Sequence, residues 1–212
     1  TTANTVAPTV SSSVYGTNDG TLSLGETVTL TVTFSEAVSV TGTPTLALAN
    51  GGTATYSGGT GTNTLTFIYT PAAGQTTSDL ATASSNALTG TIKDLAGDAV
   101  TAAGFNNVNP TGTLAVDGTA PTVSTFYPAN GATVTPGSNI VLTFSEPIAR
   151  GWGTITLRSG SVTGTIVESF DAWVSSRLFQ SGSKLTIDPS NQLDLNTQYF
   201  VAIAAGSITD LA

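Results

Sequence analysis

Acidic side chains are the main groups through which this sequence could do chemistry, because its 212 residues include neither histidine nor cysteine. That absence excludes histidine-based serine triads, thiolate nucleophiles and ordinary zinc sites. The 13 acidic residues could still hydrolyse glycosides, but this reaction needs two carboxyl groups about 5–9.5 Å apart in a cleft. They fall mostly at predicted strand ends and turns, where they are better suited to binding a hard cation such as Ca²⁺. We therefore predict that the chain is not an enzyme.

A second candidate for binding chemistry is a group of aromatic residues interspersed with arginines. It consists of Trp152, Phe170, Trp173 and Phe179, with Arg150, Arg158 and Arg177. An exposed platform of Trp152 and Trp173, with Arg150 and Arg177 as hydrogen-bond donors, would suit surface glycans. The alternative, which we favour for any single aromatic residue, is that at least one tryptophan fills a β-sandwich core and the others cover an edge.

Composition narrows both the class of protein and its partners. Only 8% of the residues are charged, against about 25% in a typical domain, so Thr, Ser, Asn and Gly must cover much of the surface. The net charge of −8 repels nucleic acids and anionic membranes. Neither an apolar run of membrane-spanning length nor a signal-peptide pattern is present. We predict a folded β protein that neither binds nucleic acid nor inserts into a membrane.

Three short segments recur in the same order, which indicates two related modules. The pairs are Ala7–Val10 with Ala120–Val123, Phe34–Glu36 with Phe144–Glu146, and Ile92–Ala96 with Ile208–Ala212. Each copy follows the first after about 110–116 residues, a period that fits an array of similar domains.

Alternating apolar and polar residues within each module predict strands with one face on a core. Val28, Leu30, Val32 and Phe34 form one such set in the first module, and Tyr199, Val201 and Ile203 form another in the second. Gly-rich and Pro-containing breaks separate these sets at the spacing of a β-sandwich. The sequence predicts an all-β protein of two tandem sandwiches, residues 1–117 and 118–212.

The Ala-Pro-Thr-Val start, the Phe-Ser-Glu strand end and the Asp-Leu-Ala-Gly turn at 94–97 resemble bacterial Ig-like repeats of large secreted surface adhesins and S-layer-associated proteins. The resemblance covers nearly the whole chain and implies two tandem immunoglobulin-like β-sandwich domains. It also implies a location at the extracellular bacterial cell surface and neighbouring Ig-like modules, of the same or another chain, as partners. The implied role is that of a structural stalk or spacer in an adhesin, and a carbohydrate-binding module is an alternative.

The Ig-like topology implies that several acidic residues meet at the ends of the modules. Successive strands run up and down, so the end of the second strand and the loop after the sixth lie at the same pole as the start of the module. Asp117, Glu146 and Asp210 are therefore expected to bind Ca²⁺ at the junction between modules. Glu36, Asp94 and Asp98 are expected to form a similar site at the start of the first module. The alternative is that these aspartates only close turns through their side chains.

The second module stops at Asp210-Leu211-Ala212, whereas the first continues for about twenty residues after the matching segment. Its last strand is therefore expected to be missing. One explanation is that the sequence is a piece of a longer chain. The other is that the open module accepts a strand from another chain, with Thr1–Val6 as the donor. In that case the protein would be a subunit of an extracellular filament.

Overall fold

The fold is described from a computed structural model that covers residues 5–133 and 135–211. Over these residues the chain is built of β-strands, with one short 3-10 helix at Ala102–Phe105. It divides into two compact units: unit 1, which ends at Thr119, and unit 2, Ala120–Leu211. The prediction of an all-β, immunoglobulin-like fold is confirmed. No helix in the described ranges is long and apolar enough to cross a membrane.

Unit 1 is organised around one long strand, β3. Its strands are β1 (Val10–Tyr15), β2 (Thr21–Ser23), β3 (Val28–Ala47), β4 (Thr53–Gly58), β5 (Thr62–Tyr69), β6 (Leu88–Asp94) and β7 (Ala115–Asp117). The first part of β3 pairs antiparallel with β1 and β5. After a register shift between Thr33 and Val38, its second part pairs with β6 and then with β4. Strand β3 therefore pairs with β1 and β5 along its first part and with β6 and β4 along its second part.

The core of unit 1 follows the alternation seen in the sequence. The side chains on one face of β3 and β5 are buried, and they are Val28, Leu30, Val32, Phe34, Leu65, Phe67 and Tyr69. The segment after β6 completes this core with Val100, Phe105, Leu114 and Val116. β7 then pairs in parallel with β2, which attaches the end of unit 1 to its own sandwich.

Unit 2 consists of two main sheets and one short strand pair. Its strands are β8 (Val123–Tyr127), β9 (Ile140–Phe144), β10 (Ile148–Arg150), β11 (Thr154–Ser159), β12 (Thr165–Asp171), β13 (Leu178–Ser181), β14 (Lys184–Ile187), β15 (Tyr199–Ile203) and β16 (Ile208–Asp210). One sheet has the order β13-β14-β9-β8 and the other the order β12-β11-β15, while β10 pairs with β16. The core between them includes Leu142, Ile155, Leu157, Phe170 and Leu185.

The two copies of the Phe-Ser-Glu segment make the same contacts inside their own units. The N–H of Ser35 donates to the carbonyl oxygen of Thr9 at 2.9 Å, and the N–H of Thr9 donates to Ser35 Oγ at 3.0 Å. Ser145 and Thr122 repeat this pair of hydrogen bonds at 2.8 and 3.0 Å. The repeated sequence is therefore a repeated structural tie that holds the start of the sandwich against β3 in unit 1 and against the end of β9 in unit 2.

A second contact also recurs, a few residues further along each copy. Val38 pairs with Asp94 in unit 1, and Ile148 pairs with Asp210 in unit 2. Each aspartate thus ends a strand and pairs with the residue two positions after the glutamate of the Phe-Ser-Glu segment. This pairing brings the acidic positions that the two copies share to one end of each unit.

Candidate functional site

Glu146 and Asp210 form the acidic pair of unit 2. Glu146 directly follows Ser145, which is tied to Thr122, and Asp210 ends β16 opposite Ile148. The two half-buried side chains place one carboxylate oxygen each within 4.8 Å of the other. Two negative charges about 4 Å apart repel by roughly 1 kcal/mol in water and about 4 kcal/mol near a protein surface. A hard cation that takes oxygen ligands would remove this repulsion.

Asp117 is the last residue of β7 in unit 1. Its side chain is half-buried, and its Oδ1 accepts a hydrogen bond from the N–H of Thr119 at 2.9 Å. Only Gly118 and Thr119 separate it from Ala120, the first residue of unit 2.

The acidic residues predicted to bind a cation at the start of unit 1 have a different arrangement. Asp94 is buried, and its Oδ1 accepts hydrogen bonds from the N–H groups of Ala96, Gly97 and Asp98 at 2.9, 2.7 and 2.8 Å. In the described part of unit 1, the ligand atoms of Glu36, Asp94 and Asp98 do not converge as a group of three. Asp94 therefore closes the Asp-Leu-Ala-Gly turn, as the alternative interpretation expects.

Trp152 and Trp173 form a stacked pair on the surface of unit 2. Their ring centroids lie 5.0 Å apart with an angle of 17° between the planes. The side chains are 73% and 51% exposed, so the expectation that at least one tryptophan fills the core is wrong. Phe170, which is 2% exposed, occupies the core instead, because it lies on the inward face of β12 next to outward-facing neighbours.

Two glycines shape the turn that carries Trp152. A side chain at Gly151 would place its Cβ 2.2 Å from the carbonyl oxygen of Gly206. At Gly153 it would meet Ser207 Oγ at 2.5 Å, and the φ angle of 144° there is unfavourable for other residues. The Gly-Trp-Gly sequence therefore lets the chain pass close to the 206–207 turn while Trp152 points into solvent.

The turn that carries Trp173 is held by Asp171 and Arg150. Asp171 Oδ1 accepts hydrogen bonds from the N–H groups of Trp173 and Val174. The Arg150 guanidinium donates to the carbonyl oxygens of Ala172, Ser175 and Leu178. Arg150 thus positions the turn, a structural role that its sequence position alone did not indicate.

Arg177, the other predicted donor, pairs with Asp188 through Nη1 and Oδ2 at 2.8 Å. Both side chains are more than a third exposed, so this pair adds little stability.

A polar network that sequence reasoning missed lies in unit 1 around Asp79. Asp79 Oδ2 accepts a hydrogen bond from Asn109 Nδ2 at 2.8 Å, and its Oδ1 accepts one from the N–H of Leu114 at 3.1 Å. These bonds lower the pKa of Asp79, with that from Asn109 having the largest effect. Burial, followed by the charge of Asp79, raises the pKa of Tyr15, whose hydroxyl donates to the carbonyl oxygen of Leu80. The network attaches the last segment of unit 1 to its body.

Comparison with known families gives a match for the second part of the chain. Residues 117–212 match the family model of the bacterial Ig-like domain. This is a non-catalytic fold family whose domains occur in bacterial surface and extracellular proteins. The comparison with curated proteins gave no match.

We predict that Asp79→Asn destabilises unit 1 near neutral pH, since it removes the charged acceptor of the network. The pKa of Asp79 is lower in the folded protein than in the unfolded chain. Its contribution to stability is therefore complete above the unfolded-state pKa and is lost as the pH falls through the folded-state pKa. The melting temperatures of the variant and of the unmodified protein should therefore converge as the pH is lowered from 7 to 2. Thermal unfolding by circular dichroism measures this, with Asp19→Asn as a control for the loss of one charge. A difference that stays constant over this pH range would contradict the assignment.

Proposed function

We propose that the chain is a non-catalytic stalk or spacer segment of a bacterial cell-surface adhesin, because residues 117–212 match the family model of the bacterial Ig-like domain. The observation that carries this proposal is the recurrence of one structural tie, Ser35 with Thr9 and Ser145 with Thr122, in two units that follow each other in the chain. Tandem modules of one architecture give length to a protein without adding a catalytic site.

The construction of the units supports a spacer role. Each unit has its own buried cluster of apolar residues, so each can fold without the other. The stability of such an array is the sum of the module stabilities and of the terms between neighbours. An extracellular position also fits a chain in which only 8% of the residues are charged.

We further propose that Ca²⁺ binds at the start of unit 2, with Glu146, Asp210 and Asp117 as ligands. Glu146 and Asp210 already bring two carboxylates within 4.8 Å. Chain connectivity supports adding Asp117, because only residues 118–121 separate it from Thr122, which binds the neighbour of Glu146. The family match also begins at Asp117. Carboxylate oxygens are ligands that Ca²⁺ prefers, and backbone carbonyls or water can complete its shell of six to eight oxygens.

In this proposal calcium stiffens the stalk. Carboxylates from both sides of the linker would repel each other without the ion and would be joined by it when it binds. Extracellular modules bind Ca²⁺ with a Kd of about 10⁻⁴ to 10⁻³ M, so external calcium would fill the site and cytosolic calcium would not.

We expect 10 mM Ca²⁺ to stabilise unit 2 by about 1.4–2.7 kcal/mol, the linkage energy for a Kd of about 10⁻³ to 10⁻⁴ M. For a domain of this size the melting temperature should rise by roughly 5–15 °C. Glu146→Gln and Asp210→Asn should each abolish most of this rise, whereas Asp194→Asn, which removes an exposed charge of the same unit, should leave it intact. Differential scanning calorimetry with and without Ca²⁺ measures the effect. The proposal fails if all four proteins respond equally or if none responds.

Asp117→Ala tests the stiffening separately from the binding. Small-angle X-ray scattering of the unmodified chain should show a narrower range of conformations with 10 mM Ca²⁺ than with a chelator, and the variant should not respond. Asp19→Ala is the matched control, because Asp19 Oδ1 also accepts a hydrogen bond from the N–H two residues later. An undiminished calcium response in Asp117→Ala would remove Asp117 from the site.

The exposed tryptophan pair favours a second candidate function, the binding of surface glycans. The outer faces of the stacked Trp152 and Trp173 rings offer an apolar platform to the C–H face of a sugar, and Arg150 holds one of the turns that carry it. Arg177 lies on exposed surface of the same unit and remains a predicted donor.

We expect Trp173→Ala to weaken glycan binding by about tenfold or more, which corresponds to about 1.4 kcal/mol of lost stacking. Phe179→Ala is the control, because Phe179 is a similarly exposed aromatic residue of unit 2. A glycan array would identify the ligand, and calorimetry would then compare the variants. A silent array, or equal binding by both variants, would argue against this function.

A further inference from the structure

The tripeptide Ala-Asn-Gly occurs once in each unit. Ala49-Asn50-Gly51 lies in the connection from β3 to β4, and Ala129-Asn130-Gly131 lies in the connection from β8 to β9. Both glycines have a positive φ angle, 82° at Gly51 and 76° at Gly131, as turns that favour glycine require. Because the local sequence is the same, a difference in reactivity between Asn50 and Asn130 must come from the fold.

In unit 1 the fold holds both groups of the Asn50 side chain. Its Nδ2 donates a hydrogen bond to the Tyr69 hydroxyl at 2.9 Å, and its Oδ1 accepts one from the N–H of Gly52 at 3.1 Å. The N–H of Gly51 donates to the carbonyl oxygen of Leu48 at 3.1 Å. Tyr69 is buried, and a Cβ at Gly52 would lie only 2.5 Å from its ring. This turn is therefore packed against the core of unit 1.

In unit 2 the same tripeptide lies in an exposed turn. Asn130 and Gly131 are both exposed, and the N–H of Ala132 closes the turn on the carbonyl oxygen of Ala129 at 2.9 Å. A Cβ at Gly131 would meet nothing within 4 Å. Within residues 5–133 and 135–211, the Asn130 side chain and the Gly131 N–H have no hydrogen-bond partner. Only one exposed turn must open for the two groups to meet, and such local opening costs little free energy.

We propose that Asn130 is a site of spontaneous covalent modification, at which its side-chain amide is converted to a carboxylate. The backbone nitrogen of Gly131 attacks Cγ of Asn130, and a five-membered succinimide ring forms, since the two atoms belong to neighbouring residues. The Cγ–Nδ2 bond breaks, and the side-chain nitrogen leaves as ammonia with the proton from the Gly131 nitrogen. One water molecule then opens the ring at either carbonyl carbon, which gives aspartate or isoaspartate. The sum is one water consumed and one ammonia released, without oxidation or reduction.

The modification changes the surface of unit 2 and leaves its core in place. It adds a carboxylate to a chain whose net charge is already −8. In isoaspartate the main chain also runs through the former side chain, which lengthens the turn by one carbon atom. The pairing of β8 with β9 extends from Val123 with Phe144 to Tyr127 with Val141, so the turn lies outside it. We therefore expect the modified protein to remain folded.

Peptide mapping by mass spectrometry tests the proposal on the intact chain, incubated in mildly alkaline buffer with and without denaturant. In the folded protein we expect Asn130 to react at least about tenfold faster than Asn50, because Asn50 must first leave its packed turn. In denaturant the two sites should react at similar rates, and incubation continues until they have done so. Asn130→Gln should remove the acidic product from ion-exchange chromatography. Equal rates in the folded protein, or no reaction at Asn130 over that time, would overturn the proposal.

Tyr69→Phe tests whether the fold protects Asn50, since it removes the hydroxyl that binds Asn50 Nδ2. The reaction at Asn50 should become several-fold faster. Tyr56→Phe is the matched control, because the Tyr56 hydroxyl accepts a hydrogen bond from Thr60 and not from Asn50. Circular dichroism checks that both variants are folded during the incubation. An unchanged rate at Asn50 in folded Tyr69→Phe would contradict the proposed difference between the two turns.

This inference is independent of the functions proposed above. It uses neither the acidic pair of unit 2 nor the tryptophan pair. It also does not use the predicted strand donation by Thr1–Val6, of which residues 1–4 lie outside the described residues. Its failure would therefore leave those proposals unchanged.

Discussion

The structure of each unit depends on the reciprocal hydrogen bonds between a serine and the threonine that begins the sandwich. In unit 2, Ser145 uses both its backbone N–H and its hydroxyl to hold Thr122. This tie fixes the first strand against the second and sets the position of the next residue, Glu146. Because Ile148, two residues further on, pairs with Asp210, the same few residues bring both carboxylates to the place where the chain enters the unit. The local backbone geometry thus determines where the carboxylates of Glu146 and Asp210 lie.

Unit 1 uses the same frame with a different outcome. Asp94 has the sequence place of Asp210, but its Oδ1 is engaged by three backbone N–H groups of the turn that follows. The chain then continues to β7 and closes the sandwich. In unit 2 the acidic pair lies beside Thr122, at the start of the unit. The same frame can therefore use its second aspartate to close a turn or to form an acidic pair.

The repeat and the alternation of apolar residues were enough to predict the all-β fold, because burial of one strand face leaves a period of two in the sequence. The Ig-like strand order predicted that Glu146 and Asp210 lie at one pole, but it did not predict the pairing of Ile148 with Asp210. The exposure of Trp152 and Trp173 could not be predicted, because it depends on the turns set by Gly151, Gly153 and Asp171. It also depends on Arg150, which donates hydrogen bonds to carbonyl oxygens of the turn that carries Trp173. The sequence left the role of Asp94 open between a turn and a cation site, since a carboxylate that closes a turn and one that binds a cation can have the same local sequence.

The central claim is that the carboxylates of Glu146 and Asp210 bind one cation together. The most direct measurement is a Ca²⁺ titration followed by NMR of the side-chain carboxyl carbons of unit 2. The account predicts that the resonances of Glu146 and Asp210 shift together and saturate at millimolar Ca²⁺, while that of Asp194 stays in place. If Glu146 and Asp210 do not shift, or shift at different Ca²⁺ concentrations, the claim is contradicted.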